Sequence, residues 1–322
     1  MENGTCSVRP ALYIHVAQAT HFLRWELPEF SKYFTLVSSP SDDAILLSFG
    51  PDILKEASQL PAKRRYANLF PGFSYNPVYN IELRKVQLEI LNKYFRAVFI
   101  NKGPLEIAYK TLKNIEFYPF SVDIDLVKMK GYRKHLDSLI HISSESPQKD
   151  WERSRAVMEA TGLKYEVFPP RQHDVYQRHI DVNAEKNRIR KKFGFRAKPY
   201  LPYGYLNHEL VVKKYQAYDG FVHVARDIKD QVLIDGKYTA SLIEAGVTGS
   251  LLFWHDTFGL GNNLETVFNL SLDPDVAARE ILDIKSSLDI KRHSRLTHEE
   301  MMDTFNPQRS VEIRALKMLE SI

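Results

Sequence analysis

Residues 235 to 255 read DGKYTASLIEAGVTGSLLFWH, a polar loop followed by a short helical pattern and then an apolar run. ASLIEAG (240–246) is predicted to form a helix that begins after Thr239, and GSLLFWH (249–255) is predicted to form a strand. A helix that leads directly into such a strand is the repeating unit of a parallel sheet with helices on both faces. The stretch therefore predicts an α/β fold.

The same alternation runs through both halves of the chain. In the first half the predicted strands are ALYIHVA (11–17), AILLSFG (44–50) and AVFINKG (97–103), and helices are predicted in ILKEAS, over 79–94 and in PLEIAYKTLKN. In the second half the predicted strands are SLIHISS (138–144), LKYEVFP (163–169) and FVHVAR (221–226), with helices over 150–162, 207–220 and 274–287. The pattern predicts two Rossmann-like, doubly wound domains facing each other across a cleft, with KMKGYRKHLD (128–137) as the linker.

Length and composition agree with this organisation. The 322 residues are more than one core usually serves, and 44% of them are hydrophobic. Cys6 is the single cysteine, no window resembles a membrane span, and the first residues lack a signal pattern, which together predict a soluble cytoplasmic protein. The net charge is +4, with basic runs at 63–65 and 186–198. Each run is either a solvated face or a contact with a polyanion or membrane surface.

The opening stretch also carries the first candidate site. Its loop passes through Lys237 and Tyr238 to Thr239, and the amides of the helix that begins at Ala240 are free to bind an anion. Glu244 follows one turn later, and a carboxylate there can accept two hydrogen bonds from the vicinal hydroxyls of a ribose. The alternative is that Glu244 only stabilises the helix dipole.

Three further segments are candidates. SLIHISS ends in Ser143 and Ser144, and Lys149 lies where the next helix starts, so that it can neutralise a diphosphate or remain an exposed first-turn lysine. Gln18 and His21 follow the first strand, where His21 can act as a base or be an ordinary surface histidine. The DID pattern at 123–125 resembles a metal-binding pair, but a turn that joins two domains is the favoured interpretation.

Several familiar motifs are missing from the sequence. No GxGxxG follows either first strand, which counts against a dinucleotide oxidoreductase. There is no GxSxG elbow, no Walker lysine loop and no HExxH.

Taken in order, four segments resemble the two-domain nucleotide-sugar glycosyltransferases with the GT-B fold. IEFYPFSVDIDLV (115–127) is similar to their "PNGVD" segment, and HISSESPQKDW (141–151) is similar to a strand and loop in which Lys149 falls on the lysine of an "EKG" turn. YLPYGYLNHELVVKKYQAYDGFVHVA (200–225) is similar to a segment whose glycine turn lines the base. DGKYTASLIEAGVTGS (235–250) is similar to the "EGFGLPLLEAMASG" block, with Glu244 on the ribose-binding glutamate.

The resemblance assigns roles to individual residues. It implies that Gly204 and Tyr205 line the base, that Lys149 and the amides at 239–241 contact the diphosphate, and that Glu244 binds the ribose. Ser144 stands where the family has an arginine. Gly236 stands where it has its first glutamate, so Asp235 takes over the contact with the donor sugar. His21 is placed near the acceptor or the anomeric carbon.

The activity that the resemblance implies is transfer of a sugar from a nucleoside-diphosphate sugar to a glycan, lipid-linked or other acceptor. It further implies retention of configuration, no metal or cofactor, no nucleic-acid partner, and a cytoplasmic location in which peripheral membrane contact stays open. The implied domains are 1–130 on the acceptor side and 131–295 for the nucleotide sugar, with helices over 296–322 crossing back to the first domain. The alternatives are an epimerase or phosphorylase of the same fold, or a degenerate, non-catalytic binding protein.

Overall fold

The computed structural model describes most of the chain, in the ranges 9–16, 23–50, 53–69, 81–101, 103–143, 149–168, 192, 206, 208–224, 237–257, 259 and 261–320. Within them the structure contains two separate sheets, each built only of parallel strand pairs.

The first sheet has six strands in the spatial order β2-β1-β3-β4-β5-β6. Its strands are β1 (Ala11–Val16), β2 (Thr35–Val37), β3 (Ile45–Phe49), β4 (Arg64–Leu69), β5 (Ala97–Ile100) and β6 (Ile115–Phe117). The connecting helices are α1 (Leu23–Tyr33), α2 (Leu54–Gln59), α3 (Ile81–Tyr94) and α4 (Pro104–Tyr109). Every residue of β3 and β5 is buried, as expected for central strands covered on both faces.

Three strands of this sheet were not predicted. β2 and β6 are three-residue edge strands, too short to show a periodic pattern. β4 starts with two arginines, so its sequence has the pattern of a basic run and not of an apolar strand. Arg64 and Arg65 are half-buried, and Arg65 donates to the carbonyl of Leu60 at 2.5 Å, so the run at 63–65 is not a fully solvated face.

The second sheet has five strands in the order β11-β10-β9-β7-β8. They are β7 (Ser138–Ile142), β8 (Lys164–Phe168), β9 (Gly220–His223), β10 (Leu251–Trp254) and β11 (Val267–Asn269). The described helices of this half are α5 (Trp151–Thr161), α6 (His208–Ala217), α7 (Ala240–Val247), α8 (Pro274–Ser287) and α9 (Ile290–Thr304). Two parallel-sheet α/β domains are therefore present, which confirms the predicted fold class.

The chain end returns to the first sheet through α10 (Pro307–Leu319). Asn306 caps this helix and Pro307 occupies its first turn, where the missing N–H of proline has no cost. Val311, Ala315 and Met318 are buried in the same apolar cluster as residues of β1, β3 and α1. The last helix is thus part of the first core, although it follows the second domain in sequence.

The segment over 128–137 is not a simple solvated linker. The Arg133 side chain is 8% exposed and donates to the carbonyls of Tyr215 and Tyr218 at 2.7 and 2.9 Å. It also reaches the hydroxyls of Thr248 and Ser250, both at 3.3 Å. The rigid guanidinium donates hydrogen bonds to polar groups at the ends of several elements. These buried acceptors require donors, which explains why a basic residue is buried here.

Candidate functional site

The carboxyl edges of the two sheets lie close together. In each sheet the strand order reverses once, between β1 and β3 in the first and between β7 and β9 in the second. Ligands of open α/β sheets bind at such reversals, beyond the carboxyl ends of the strands. Gly103 follows β5 of the first sheet, and Lys237 precedes α7 of the second domain. The two residues are so close that a Cβ added to Gly103 would lie 3.1 Å from the backbone nitrogen of Lys237. The candidate site is the cleft beside this contact.

The N-terminus of α7 follows directly after this contact. Thr239 caps the helix, because its Oγ1 accepts a hydrogen bond from the amide of Leu242 at 3.2 Å. Ala240 is exposed, whereas Leu242 and Ile243 are buried in the core. Ala240 and Glu244 are four residues apart and therefore share one helix face.

The Glu244 carboxylate has a partner that the sequence did not reveal. Its Oε1 lies 2.9 Å from Nε2 of His208, the first residue of α6. The glutamate side chain is 12% exposed and the histidine side chain 36%. The hydrogen bond to Glu244 raises the pKa of His208 above its usual value, while partial burial acts in the opposite direction. Glu244 is therefore more than a residue that stabilises the helix dipole.

Lys237 and Tyr238 are held firmly beside the helix start. The Lys237 side chain is 6% exposed, and its Nζ donates to Oδ1 of Asn263 at 2.8 Å. The Tyr238 hydroxyl donates to Oδ1 of Asn262 at 2.6 Å, and its ring packs on Trp254 with the centroids 5.2 Å apart. Burial raises the pKa of Tyr238 to about 12, so the phenol stays neutral at physiological pH. These contacts fix the loop that leads into α7.

The end of β7 carries a buried histidine that controls Ser143. Nδ1 of His141 lies 2.7 Å from the carbonyl oxygen of Val222, and Nε2 lies 2.8 Å from the Ser143 hydroxyl. Burial lowers the pKa of His141 to about 4, so the ring is neutral. Because a carbonyl only accepts, the proton is on Nδ1 and Nε2 must accept from the serine. Ser143 therefore donates its hydroxyl proton to His141 and cannot donate that proton to a phosphate oxygen at the same time.

A second histidine and Lys149 complete this edge of the sheet. His223, at the end of β9, stacks on His141 with ring centroids 5.4 Å apart and an interplanar angle of 2°. Burial lowers the pKa of His223 well below its usual value, and the neighbouring His141 and Lys149 lower it further by smaller amounts. Lys149 also lowers the pKa of His141, after burial. The charge of Lys149 thus acts on the histidines at the carboxyl ends of β7 and β9.

The DID pattern forms a turn at the crossover between the domains. Oδ1 of Asp123 accepts from the amide of Leu126 at 3.1 Å, and Oδ2 accepts from Arg24 of α1 at 3.2 Å. The neighbouring amide of Val122 donates to the carbonyl of Phe305, where the chain crosses back. Within the described ranges, no group of three or more potential metal-ligating side chains occurs.

Several predicted site residues lie outside the described residues: Gln18, His21, Ser144, Gly204, Tyr205 and Asp235. The structure brings Lys237, Tyr238, Thr239, Ala240 and Glu244 together at the start of α7. Ser143 follows β7 of the second sheet, and the charge of Lys149 acts at the same end of that strand. His141, His208 and His223 were missed. The position of His208 at a predicted helix start is the sole signal for it, since its partner is distant in sequence.

The contact between Gly103 and Lys237 makes a testable prediction. Gly103 has a φ of 135°, and a methyl group there would also press on Cβ of Lys237 at 3.1 Å. We expect Gly103→Ala to lower the free energy of unfolding by about 1–3 kcal/mol, measured by urea denaturation.

Gly131→Ala is the matched control, because nothing lies within 4 Å of its new Cβ. It should stay within about 0.5 kcal/mol of the wild type. Equal stability of the two variants would contradict the close approach between Gly103 and Lys237.

Comparison with known proteins gives matches in structure alone. No protein-family model matches the chain, and no curated protein matches it in sequence. Among solved structures, TarM aligns with a TM-score of 0.57 and 16% identity over 86% of this chain, which spans 55% of TarM. Anabaena HepE in complex with UDP-glucose aligns with a TM-score of 0.58 and 10% identity, covering 97% of this chain and 99% of HepE.

A third similar structure is trehalose-6-phosphate synthase, from work on enzymatic glycosyl transfer with retention. It aligns with a TM-score of 0.57 and 14% identity over 94% of this chain and 78% of the synthase. Identities this low establish the fold and not the function. The chain therefore has the GT-B fold, with two Rossmann-like domains, as its sequence motifs predicted.

Proposed function

We propose that this protein is a glycosyltransferase that takes a sugar from a nucleoside-diphosphate sugar bound on its second domain. The observation that carries the proposal is the geometry of α7. Its N-terminus is capped by Thr239 and leaves Ala240 exposed close to the contact with the first domain, and Glu244 follows on the same helix face. Helix amides suit a diphosphate, and a carboxylate one turn away suits the ribose hydroxyls.

The proposed reaction needs stabilisation of a leaving group. The acceptor hydroxyl oxygen forms a bond to the anomeric carbon as the bond from that carbon to the diphosphate oxygen breaks. The electron pair departs with the nucleoside diphosphate, and the proton of the acceptor hydroxyl passes to the departing diphosphate oxygen. The amides of α7 and the Lys149 ammonium stabilise the developing negative charge, without a metal. His21 near the acceptor and Asp235 on the donor sugar remain proposals from sequence.

The similar structures support this choice of ligand. HepE is solved with UDP-glucose, and another TarM structure contains UDP together with fondaparinux. UDP and its sugars are therefore the first ligands to test, with a glycan as the first acceptor. We propose that the sugar is transferred with retention of configuration, as trehalose-6-phosphate synthase transfers it.

Turnover with a nucleotide-sugar panel tests the activity. The protein is incubated with UDP-glucose, UDP-N-acetylglucosamine or GDP-mannose in buffer with EDTA, with and without oligosaccharide acceptors. We expect nucleoside diphosphate to be released several-fold faster when the right acceptor is present, together with a glycosylated product. Release of the epimeric sugar without acceptor would indicate an epimerase, and no turnover combined with no nucleotide binding would refute the proposal.

Lys149→Ala is expected to lower kcat by about 100-fold, because a positive charge beside the leaving diphosphate acts mostly in the transition state. The free energy of unfolding should change by less than about 1 kcal/mol, since the side chain is half-exposed. Steady-state kinetics and urea denaturation measure the two effects. Lys291→Ala, which removes an exposed lysine from α9, is the control. An unchanged kcat in Lys149→Ala would remove this residue from the site.

A glycan or lipid-linked acceptor on the first domain is our proposal, and a peripheral contact with a membrane would accompany a lipid-linked one. Among the described helices, none combines the length and the apolar character needed to span a bilayer. Sedimentation with anionic lipid vesicles, compared with neutral ones, measures whether such contact occurs.

A further inference from the structure

We propose that His208 is a positioning residue for nucleotide binding, which holds the Glu244 carboxylate toward the cleft and offsets its negative charge. The proposal rests on the proposed function, because it assumes that Glu244 contacts the nucleotide. The sequence motifs assign no role in ligand binding to His208. It follows from the 2.9 Å contact between Nε2 of His208 and Oε1 of Glu244.

The geometry of the pair leaves Glu244 able to bind a ligand. His208 occupies Oε1 by donating its Nε2–H, so the carboxylate cannot rotate freely, while Oε2 remains able to accept from a hydroxyl. A side chain fixed before the ligand arrives loses less conformational entropy on binding. His208 therefore prepares the carboxylate for a diol.

Charge gives His208 a second effect. A lone carboxylate one turn from the N-terminus of α7 repels a diphosphate, and a protonated imidazole cancels that charge. The groups that face His208 are Glu244 of α7, Asp123 of the crossover and Arg24 of α1. Arg24 and Asp123 pair with each other at 3.2 Å, so their charges largely compensate. The protonation of His208 consequently sets the net charge beside the ligand.

A pH dependence follows from this arrangement. The hydrogen bond to Glu244 raises the pKa of His208 above 6.5, with burial and Arg24 opposing the rise and the Asp123 carboxylate adding to it. As the pH increases through that raised pKa, His208 loses its charge, and the site becomes more negative. The affinity for a nucleoside diphosphate should therefore fall over that range by more than the ionisation of the nucleotide itself explains.

The test is calorimetric titration of UDP, without sugar or metal, into the intact protein and its variants at pH 6 and pH 9. His208→Ala removes the donor and the charge, and should weaken affinity about fivefold at pH 6. His208→Gln places an amide donor near the position of Nε2 but cannot be protonated. It should match the wild type at pH 9 and bind more weakly than the wild type at pH 6. His135→Gln, at an exposed histidine of the same domain, is the control.

Measurements on Glu244→Ala and on the double variant with His208→Ala separate the proposed nucleotide contact of Glu244 from the proposed role of His208. If His208 positions the ligand through Glu244, adding His208→Ala to Glu244→Ala leaves the remaining affinity unchanged at pH 9, where the imidazole carries no charge. If Glu244→Ala does not alter UDP affinity, the nucleotide contact in the proposed function fails. If Glu244→Ala weakens binding but His208→Ala matches the wild type at both pH values, the role of His208 is overturned while the proposed function stands. Equal pH dependence in the wild type and His208→Gln would overturn the charge effect.

Discussion

Glu244→Ala is expected to weaken UDP binding about 30-fold while the protein stays folded. Charge-assisted hydrogen bonds from ribose hydroxyls to a carboxylate contribute about 2 kcal/mol, and 1.4 kcal/mol corresponds to a factor of ten. Calorimetric titration measures the affinity, and thermal unfolding without ligand checks the fold. The side chain is largely buried at the cleft, but its described partner is the partly exposed His208, so the structural cost should be small.

The ribose hydroxyls of UDP allow a second test of this contact. Wild-type protein should prefer UDP over 2′-deoxy-UDP, because the deoxy compound lacks one of the hydroxyls that Glu244 accepts from. Glu244→Ala should lose that preference. Glu299→Ala, which removes an exposed glutamate of α9 paired with Arg295, should bind both ligands like the wild type. A folded Glu244→Ala protein with wild-type affinity for UDP would refute the ribose contact.

Arg314→Met is expected to destabilise the protein by about 3–5 kcal/mol. Arg314 lies in α10 and is fully buried, and its Nη2 is 2.7 Å from Oε1 of Glu26, which is itself 2% exposed. Nη1 donates to Asn68 at 2.8 Å, and the guanidinium lies 4.4 Å from the centroid of the Tyr118 ring. Removing the arginine leaves a buried carboxylate without its cation, which is the costly case.

This network matters because it attaches the end of the chain to the first domain. Urea denaturation measures the loss, and the double variant Glu26→Met with Arg314→Met should lose less than the sum of the single changes, since no lone charge remains. Arg309→Ala is the control on the same helix, because its pair with Asp303 is exposed and should contribute less than about 1 kcal/mol. A loss below 1 kcal/mol in Arg314→Met would contradict the assigned role.

The sequence predicted those elements whose identity is set locally. α5 lies within the predicted range 150–162, and Asp150 and Gly162 cap it in the structure. β5 is a continuous apolar run, and β3 is apolar except for Ser48. The edge strand β11 was missed like β2 and β6, because three residues carry no period and depend on a neighbouring strand for their hydrogen bonds.

The candidate site divides in the same way. The cap at Thr239 and the spacing of Glu244 follow from neighbouring residues, so they could be predicted. The pairing of Glu244 with His208 joins two helices whose contact is decided by packing on β9 and β10, and no local pattern contains it. The burial of Arg133 and the tautomer of His141 depend on carbonyl groups contributed by distant segments. Such residues become visible once the tertiary structure is known.

Hydrogen exchange of the intact protein, with and without saturating UDP in the presence of EDTA, locates the nucleotide directly. The central claim is that a nucleoside diphosphate binds at the N-terminus of α7. It predicts slower exchange in peptides that cover residues 237–244 and the end of β7, with smaller changes in the first domain. GDP is the second ligand if UDP has no effect. Protection confined to the first domain, or no protection by either nucleotide at millimolar concentration, would contradict the claim.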